Sequence, residues 1–265
     1  MGGKLFFVLG AQDPEMREIE VALDSVAIPF AHASVDHRRC NAANAYKANS
    51  LVLLGRDGVN RPAVPPAGHE IVLVECALKG VGGGITIDHH NPGDSGFDAS
   101  PDRYMDGSSL GQVLRFLHLE PNETQRLLAA ADHCLTAAYQ GLCPGVDPGE
   151  LFFLRASWQA KLGNRSLVEV MSGIERAAKL VNQRYNRHTA EATFLDPTRV
   201  PRDLAEGGAY AGKAIRYRSL GEDFQMKEML KGATPESIES FMAGHAAVGR
   251  RVYGNPHRGY AGAYL

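Results

Sequence analysis

An aspartate followed by two histidines, Asp88-His89-His90, stands directly after the apolar run Gly-Ile-Thr-Ile. If that run is a parallel strand, the three side chains lie at its carboxyl end, where ligands bind in open α/β sheets. Carboxylates and neutral imidazoles are suitable ligands for manganese and similar divalent cations. The alternative is an ordinary polar loop after a strand, and these three residues alone do not exclude it.

Four further acidic residues lie beside or inside apolar segments. Asp13 and Glu15 follow the first apolar run, Glu75 interrupts a later one, and Asp132 interrupts a stretch rich in alanine and leucine. Burying an isolated carboxylate costs several kcal/mol, so such a residue normally has a metal ion or another cation beside it. Each one alone could be solvated or salt-bridged. Taken together, they are explained most simply by one shared site.

The order of these residues resembles the signature of the DHH phosphoesterase superfamily. That signature has two acids after the first strand, an acid on a later strand, Asp-His-His after the next strand, and an acid on a helix. Here it runs from residue 4 to about residue 145. The superfamily includes manganese-dependent inorganic pyrophosphatases, single-strand exonucleases, and enzymes that cut oligoribonucleotides or cyclic dinucleotides. The resemblance therefore implies a metal-dependent hydrolase.

The resemblance also implies a role for each of these side chains. One or two Mn²⁺ or Mg²⁺ ions are the expected cofactor. The catalytic residues would be His90, which meets the substrate phosphate, and Asp88, which orients the histidines as a carboxylate beside a metal site commonly does. The implied metal ligands are Asp13, Glu15, Glu75, His89 and Asp132.

A glycine-rich turn near the C-terminus contains a histidine and an arginine, in the string Gly-Asn-Pro-His-Arg-Gly that begins at Gly254. Glycines leave backbone N–H groups open to an anion, and an arginine can donate two hydrogen bonds to a phosphate. Superfamily members often carry an accessory lobe with a similar turn. The implied substrate-binding residues are Gly254, His257, Arg258 and Gly259. The alternative is a strand hairpin with an incidental basic pair.

The chain departs from the superfamily pattern at the start of the signature. A histidine usually stands four residues before the first acid, and that position here is Leu9, which cannot bind a metal ion. Two aspartates of the pattern are replaced by Glu15 and Glu75, which keep carboxylate oxygens. One metal position is therefore expected to be weaker than the other.

The resemblance implies one function, and the departure at Leu9 leaves an alternative open. The implied function is a metal-dependent phosphoesterase that hydrolyses a small phosphate ester, with a nucleotide or short oligonucleotide phosphodiester as the expected substrate. The alternative is a protein of reduced catalytic power that binds a nucleotide or phosphate ligand as a sensor or binding module. Metal-stimulated hydrolysis of any phosphodiester distinguishes them.

The elements that must position these residues can be predicted from the apolar pattern. Apolar runs alternate with helical patterns, which favours an α/β fold with a parallel sheet. We expect a parallel-sheet DHH domain joined by helices to a smaller α/β C-terminal lobe. The predicted boundaries are 1–150 for the metal-binding domain, 151–195 for a helical linker and 196–265 for the substrate-binding lobe. The predicted strands are 4–9, 28–35, 50–55, 70–78, 84–90 and 209–219, and the clearest helices are 108–119, 121–141 and 234–249.

The composition is that of an ordinary globular protein, with 265 residues, 44% hydrophobic, 22% charged, and a formal net charge of −2. Proteins that bind long duplexes usually carry a basic surface, so this charge favours a small phosphate substrate, although the end of a polymer is not excluded.

The four cysteines have irregular spacings, which is typical of reduced thiols. No apolar run reaches the length of a signal peptide or membrane span, so a cytoplasmic protein is expected. The apolar C-terminal strand allows a homodimer without requiring one.

Overall fold

The computed structural model describes residues 4–55, 57–81, 84–221 and 224–265. In these residues the fold is mixed α/β, with two sheets and eight α-helices, which confirms the predicted class. The chain divides into two compact units. The first comprises the chain up to Ala99 together with Met105–Ala129, and the second comprises Ser100–Tyr104 and Ala130–Leu265. This division differs from the boundaries at 150 and 195 that the sequence suggested.

The sheet of the first unit is parallel in one half and antiparallel in the other. Its strand order is β5-β4-β2-β1-β6-β7, with β3 paired to β2. The pairs β1–β2, β1–β6 and β6–β7 are parallel, whereas β4 and β5 continue the sheet in antiparallel fashion. The strands are β1 (Lys4–Leu9), β2 (Phe30–Val35), β3 (Arg38–Arg39), β4 (Ser50–Leu54), β5 (Asn60–Ala63), β6 (His69–Val74) and β7 (Ile85–Ile87).

The segment 61–68 contains three prolines, a composition typical of a loop. The structure places its first three residues in strand β5. Strand β5 lies at the end of the strand order, paired with β4 alone. Pro62 is tolerated there because an edge strand does not need every N–H group for pairing.

The helices of the first unit begin at well-defined caps. Asp13 accepts a hydrogen bond from the backbone of Met16 at the start of α1 (Pro14–Ser25), and Ser108 caps α3 (Ser109–Phe116) in the same way. Helix α1 packs against α3. The first unit also contains the end of α2 (Tyr104–Gly107) and α4 (Glu123–Tyr139) as far as Ala129. Fully buried side chains of its core include Phe7, Leu9, Met16, Ile19, Leu23, Leu110 and Leu114.

The second unit has its own sheet, in the order β12-β13-β11-β10-β9-β8. Helix α6 packs against α7 and β9, so the helices predicted as a linker belong to this unit. Strands β9 and β11 were not predicted, because their short mixed sequences carry no clear apolar run. Its helices are α5 (Pro148–Gly163), α6 (Leu167–Arg184), α7 (Leu204–Tyr210) and α8 (Pro235–Ala247), and its strands are β8 (Tyr185–Asn186), β9 (Glu191–Phe194), β10 (Ile215–Leu220), β11 (Met226–Lys231), β12 (Val252–Asn255) and β13 (Tyr260–Tyr264). None of the helices that the structure describes has the length and apolar character needed to cross a membrane.

A buried histidine on β2 makes the stability of the fold depend on pH. His32 is 2% exposed, and its Nε2 lies 3.7 Å from Glu20 Oε1. Burial, and secondly the positive charge of Arg39, lower the pKa of His32 from 6.5 to about 3. Between these two values the unfolded chain binds a proton that the folded protein does not. The free energy of unfolding therefore decreases as the pH falls through this window.

We predict that His32→Gln removes this dependence. Between pH 7 and pH 5 the wild type should lose about 2 kcal/mol more unfolding free energy than the variant, because it alone must release the His32 proton on folding. Urea denaturation at the two pH values measures the difference. His188→Gln, at an exposed turn position, is the control and should retain the wild-type dependence. Equal pH dependence in His32→Gln and the wild type would contradict the assignment.

Candidate metal centre

Three neighbouring parallel strands end at the same level of the sheet. Leu9 is paired with Val74, and Val74 is paired with Ile87. The next residue of each strand is therefore at a matching position, and these residues are Gly10, Glu75 and Asp88. The backbone N–H of Gly10 donates to Val74 O at 2.9 Å, and that of Glu75 donates to Ile87 O at 3.1 Å. The pairing thus brings two acidic residues and the following histidines to one edge of the sheet.

The backbone at Glu75 turns sharply out of strand β6. Its φ is +50°, in the left-handed region that residues with a Cβ rarely adopt. This turn ends β6 at Val74, four residues before the predicted end of the strand. A Cβ at Gly10 would collide with the carbonyl oxygen of Glu75, so glycine is required there. Strain of this kind costs about 1–3 kcal/mol and is common at functional sites.

His89 is held in one orientation by a backbone carbonyl. Its ring is fully buried, and Nδ1 lies 2.9 Å from the carbonyl oxygen of Gly107. A carbonyl only accepts, so Nδ1 carries a proton and Nε2 is the atom that faces Glu75 Oε1, at 3.2 Å. Gln112 donates to the same carbonyl and to Asp88 O. This is the arrangement by which proteins commonly fix a metal-binding histidine.

Asp88 holds the ring of His90. Its Oδ1 accepts hydrogen bonds from the backbone N–H groups of His89 and His90, at 2.7 and 3.0 Å, and from His90 Nδ1 at 2.9 Å. Tyr46 Oη donates to Oδ2 at 2.8 Å. Burial acts to raise the pKa of Asp88, but the hydrogen bonds from His90 and Tyr46 outweigh it and hold that pKa below its ordinary value. Burial, followed by the charge of Asp88, raises the pKa of the Tyr46 hydroxyl, which keeps it a donor.

Glu15 joins the same region from the first turn of α1. It is 2% exposed, and its Oε1 accepts a hydrogen bond from Leu110 N at the start of α3. Glu15, Glu75 and His89 each offer one ligand atom, and these atoms lie within 4.8 Å of one another. The same is true of Glu75, His89 and His90. The first unit therefore contains a buried carboxylate and imidazole group that could hold a metal ion.

One predicted ligand, Asp13, is not among the residues of these two groups. Its Oδ1 accepts from Met16 N at 2.7 Å as the cap of α1. Asp132 belongs to the second unit, and its role as a ligand stays a prediction. Leu9, which stands where the superfamily has a histidine, is fully buried in the core.

The predicted substrate-binding turn lies between β12 and β13 of the second unit. The side-chain oxygen of Asn255 accepts from the backbone of His257 at 2.9 Å and of Arg258 at 3.1 Å, which organises the turn. The Arg258 guanidinium donates to Asp132 O at 2.6 Å, to Asp132 Oδ2 at 3.2 Å and to His133 O at 3.1 Å. Arg258 therefore ties the turn to α4, close to its kink at Cys134.

Backbone geometry explains why both of these positions in the turn are glycine. A Cβ at Gly254 would lie 2.6 Å from Tyr260 O on the paired strand. Gly259 has a φ of +69°. Both observations explain the residue type without a ligand, and binding of an anion by this turn stays a prediction.

Sequence reasoning missed several residues that shape the site. These residues come from loops and helix ends that no local pattern links to the Asp-His-His string. Gly96 lies in a turn that follows the Asp-His-His string. The missed residues are Tyr46, Gly96, Gly107 and Gln112.

We predict that Gly96→Ala disturbs the centre. A Cβ there would collide with Gly107 O and lie 2.8 Å from His89 Cβ, so the carbonyl that holds His89 must move. The unfolding free energy should fall by about 1–3 kcal/mol, as expected for overpacking, and Mn²⁺ should bind more weakly. Urea denaturation and calorimetric Mn²⁺ titration measure both effects. Gly244→Ala, whose Cβ would meet nothing within 4 Å, should leave Mn²⁺ binding unchanged. Wild-type behaviour of Gly96→Ala would refute the close packing around His89.

Comparison with family models found no match for this chain, and comparison with curated proteins found none either. The resemblance to DHH phosphoesterases therefore depends on the quoted residues and their order. The first unit provides a candidate metal centre built from Glu15, Glu75 and His89. His90 lies beside it, and Asp88 holds the His90 ring.

Proposed function

We propose that this protein is a metal-dependent phosphoesterase that hydrolyses a small phosphate ester, with a nucleotide or short oligonucleotide phosphodiester as its substrate. The observation that carries the proposal is the buried group of Glu15, Glu75 and His89, with ligand atoms within 4.8 Å of one another. Two carboxylates this close and this buried repel each other unless a positive charge lies between them.

A second buried carboxylate shows how the protein neutralises a charge with its own residues. In the second unit, Glu206 accepts hydrogen bonds from Arg155, and also from Tyr139 and Gln159. Within the described ranges, no arginine forms an ion pair with Glu75. Among the described residues its ion-pair partner is His89, and its Oε1 has no hydrogen-bond donor of good geometry. A metal ion would provide the missing charge.

The ligand atoms fit a hard or borderline divalent cation. Carboxylate oxygens with an imidazole nitrogen suit Mn²⁺ or Mg²⁺, with Mn²⁺ favoured by the nitrogen. Such an ion supplies Lewis acidity towards a phosphoryl oxygen and towards the attacking water. A protonated His89 that donates to Glu75 is the alternative, and a metal titration separates the two states.

Burial separates the roles of the two histidines. The His89 side chain is fully buried, whereas that of His90 is 33% exposed. A phosphate ester could therefore contact His90 but not His89. Because His90 Nδ1 is engaged by Asp88, Nε2 is the atom left to contact a phosphoryl oxygen. This arrangement supports His89 as a ligand and His90 as the residue that contacts substrate.

Leu9 favours one alternative function, a binding module that retains metal and phosphate affinity without turnover. A fully buried leucine stands at the position of the superfamily histidine, so the site has one ligand fewer there. In that protein Glu75 and His89 would still bind the ion, and a nucleotide would bind without being cleaved.

We predict Mn²⁺-dependent hydrolysis that requires the proposed ligands. The substrates are bis-p-nitrophenyl phosphate, pyrophosphate, short oligonucleotides and cyclic dinucleotides, each with and without Mn²⁺. Glu75→Gln and the double variant His89→Ala, His90→Ala should lose turnover and bind Mn²⁺ at least 10-fold more weakly, since each removes ligands. Glu239→Gln, on the exposed face of α8, is the matched control and should behave as wild type.

Each result of this experiment decides between named alternatives. Turnover that is lost in the ligand variants supports the phosphoesterase. Mn²⁺ binding without turnover, with the binding lost in the same variants, supports the binding module instead. Failure of the wild-type protein to bind Mn²⁺ would contradict the metal centre itself.

A further inference from the structure

Tyr46 reaches the candidate site from a distant part of the chain. It lies on a single 3₁₀ turn, Ala45–Lys47, between β3 and β4. Its hydroxyl donates to Asp88 Oδ2 at 2.8 Å across 42 residues of sequence. We propose that Tyr46 is a positioning residue that fixes His90 through Asp88, an inference that rests on the phosphoesterase function proposed above.

The two oxygens of Asp88 are held by different kinds of donor. All three donors to Oδ1 come from the adjacent residues His89 and His90. In the described part of the chain, Oδ2 has one donor, Tyr46. The terminal torsion of an aspartate side chain is broad, so donors on one oxygen restrict the carboxylate plane weakly. A second donor on the other oxygen fixes that plane, and with it the direction of the hydrogen bond to His90 Nδ1.

The turn that carries Tyr46 is itself firmly held. Ala45 is 2% exposed within the core of the first unit, and its carbonyl accepts a hydrogen bond from Ala77 N. The segment that follows Glu75 is thereby tied to the turn. The Tyr46 ring also lies edge-on to the His90 ring, with 6.4 Å between centroids. Tyr46 therefore contacts both Asp88 and His90, the two residues that it is proposed to position.

A hydroxyl that only stabilises the fold would affect unfolding and nothing else. A positioning hydroxyl should also change the orientation and tautomer of His90, and hence the rate of the chemical step. The measurement must therefore observe His90 directly, beside kcat and KM.

The test is Tyr46→Phe in the full chain, compared with Tyr253→Phe. The control removes an exposed tyrosine hydroxyl whose partner is Met229 Sδ, far from Asp88 in sequence and in the other unit. For Tyr46→Phe we expect kcat to fall roughly 10- to 100-fold, with KM and Mn²⁺ affinity unchanged. Long-range ¹⁵N NMR of the imidazoles should show His90 in the Nδ1–H tautomer in the wild type and in a tautomer mixture in Tyr46→Phe. Tyr253→Phe should match the wild type in every measurement.

A double variant tests whether Tyr46 acts through Asp88. If it does, Tyr46→Phe combined with Asp88→Asn should be no slower than Asp88→Asn alone, because both changes remove the same restraint. Additive losses would overturn the proposal, as would a rise in KM with kcat unchanged, which would mean direct contact with substrate.

The test also separates failure of this inference from failure of the phosphoesterase proposal. If the wild type cleaves no substrate, the enzyme proposal fails and the His90 signals alone decide the role of Tyr46. A changed His90 tautomer in Tyr46→Phe then supports positioning. An unchanged tautomer overturns it, with or without turnover.

Discussion

The candidate site depends on the register of three parallel strands. Leu9, Val74 and Ile87 are aligned across β1, β6 and β7, so each strand leaves the sheet at the same level. A slip of one residue would turn the acidic side chain of a strand to the opposite face. The register is specified by the buried apolar residues of the strands, which have nothing to do with chemistry themselves. The position of the ligands is thus set by core packing.

Charge burial is the second constraint, and the protein meets it differently in its two units. In the second unit the buried carboxylate of Glu206 is paired with Arg155. Burial alone would raise the pKa of Glu206, but the charge and hydrogen bonds of Arg155 outweigh burial and hold this pKa below its ordinary value. In the first unit the carboxylates of Glu15 and Glu75 face an imidazole, with a strained backbone at Glu75. Arrangements that leave charge to be completed by a ligand are typical of binding sites. The second unit thus neutralises its buried carboxylate with an arginine, whereas the first unit places two carboxylates and an imidazole in a group that could hold a metal ion.

The two histidines show why neighbouring residues in sequence can have different tasks. His89 and His90 differ in what holds their rings, a backbone carbonyl in one case and a carboxylate in the other. They differ also in exposure. A motif names both residues equally, and only their surroundings assign one to the interior and the other to solvent. Tyr46 and Gly107 provide these surroundings, and neither belongs to a recognisable motif.

The α/β class, the strands β1, β2, β4, β6 and β7, and the grouping of Glu75 with the Asp-His-His residues could be predicted from the amino-acid pattern. Apolar periodicity and glycine or proline boundaries are local properties, so they are visible in one dimension. Three features depended on tertiary structure, because strand partners and helix packing are non-local. They are the antiparallel pairing of β4 with β2 and β5, the strands β9 and β11, and the inclusion of α5 and α6 in the second unit. The same reason applies to Tyr46, which is placed beside Asp88 by the packing of a turn 42 residues away. It also applies to Asp13, which caps α1 and is in neither of the two groups of possible metal ligands.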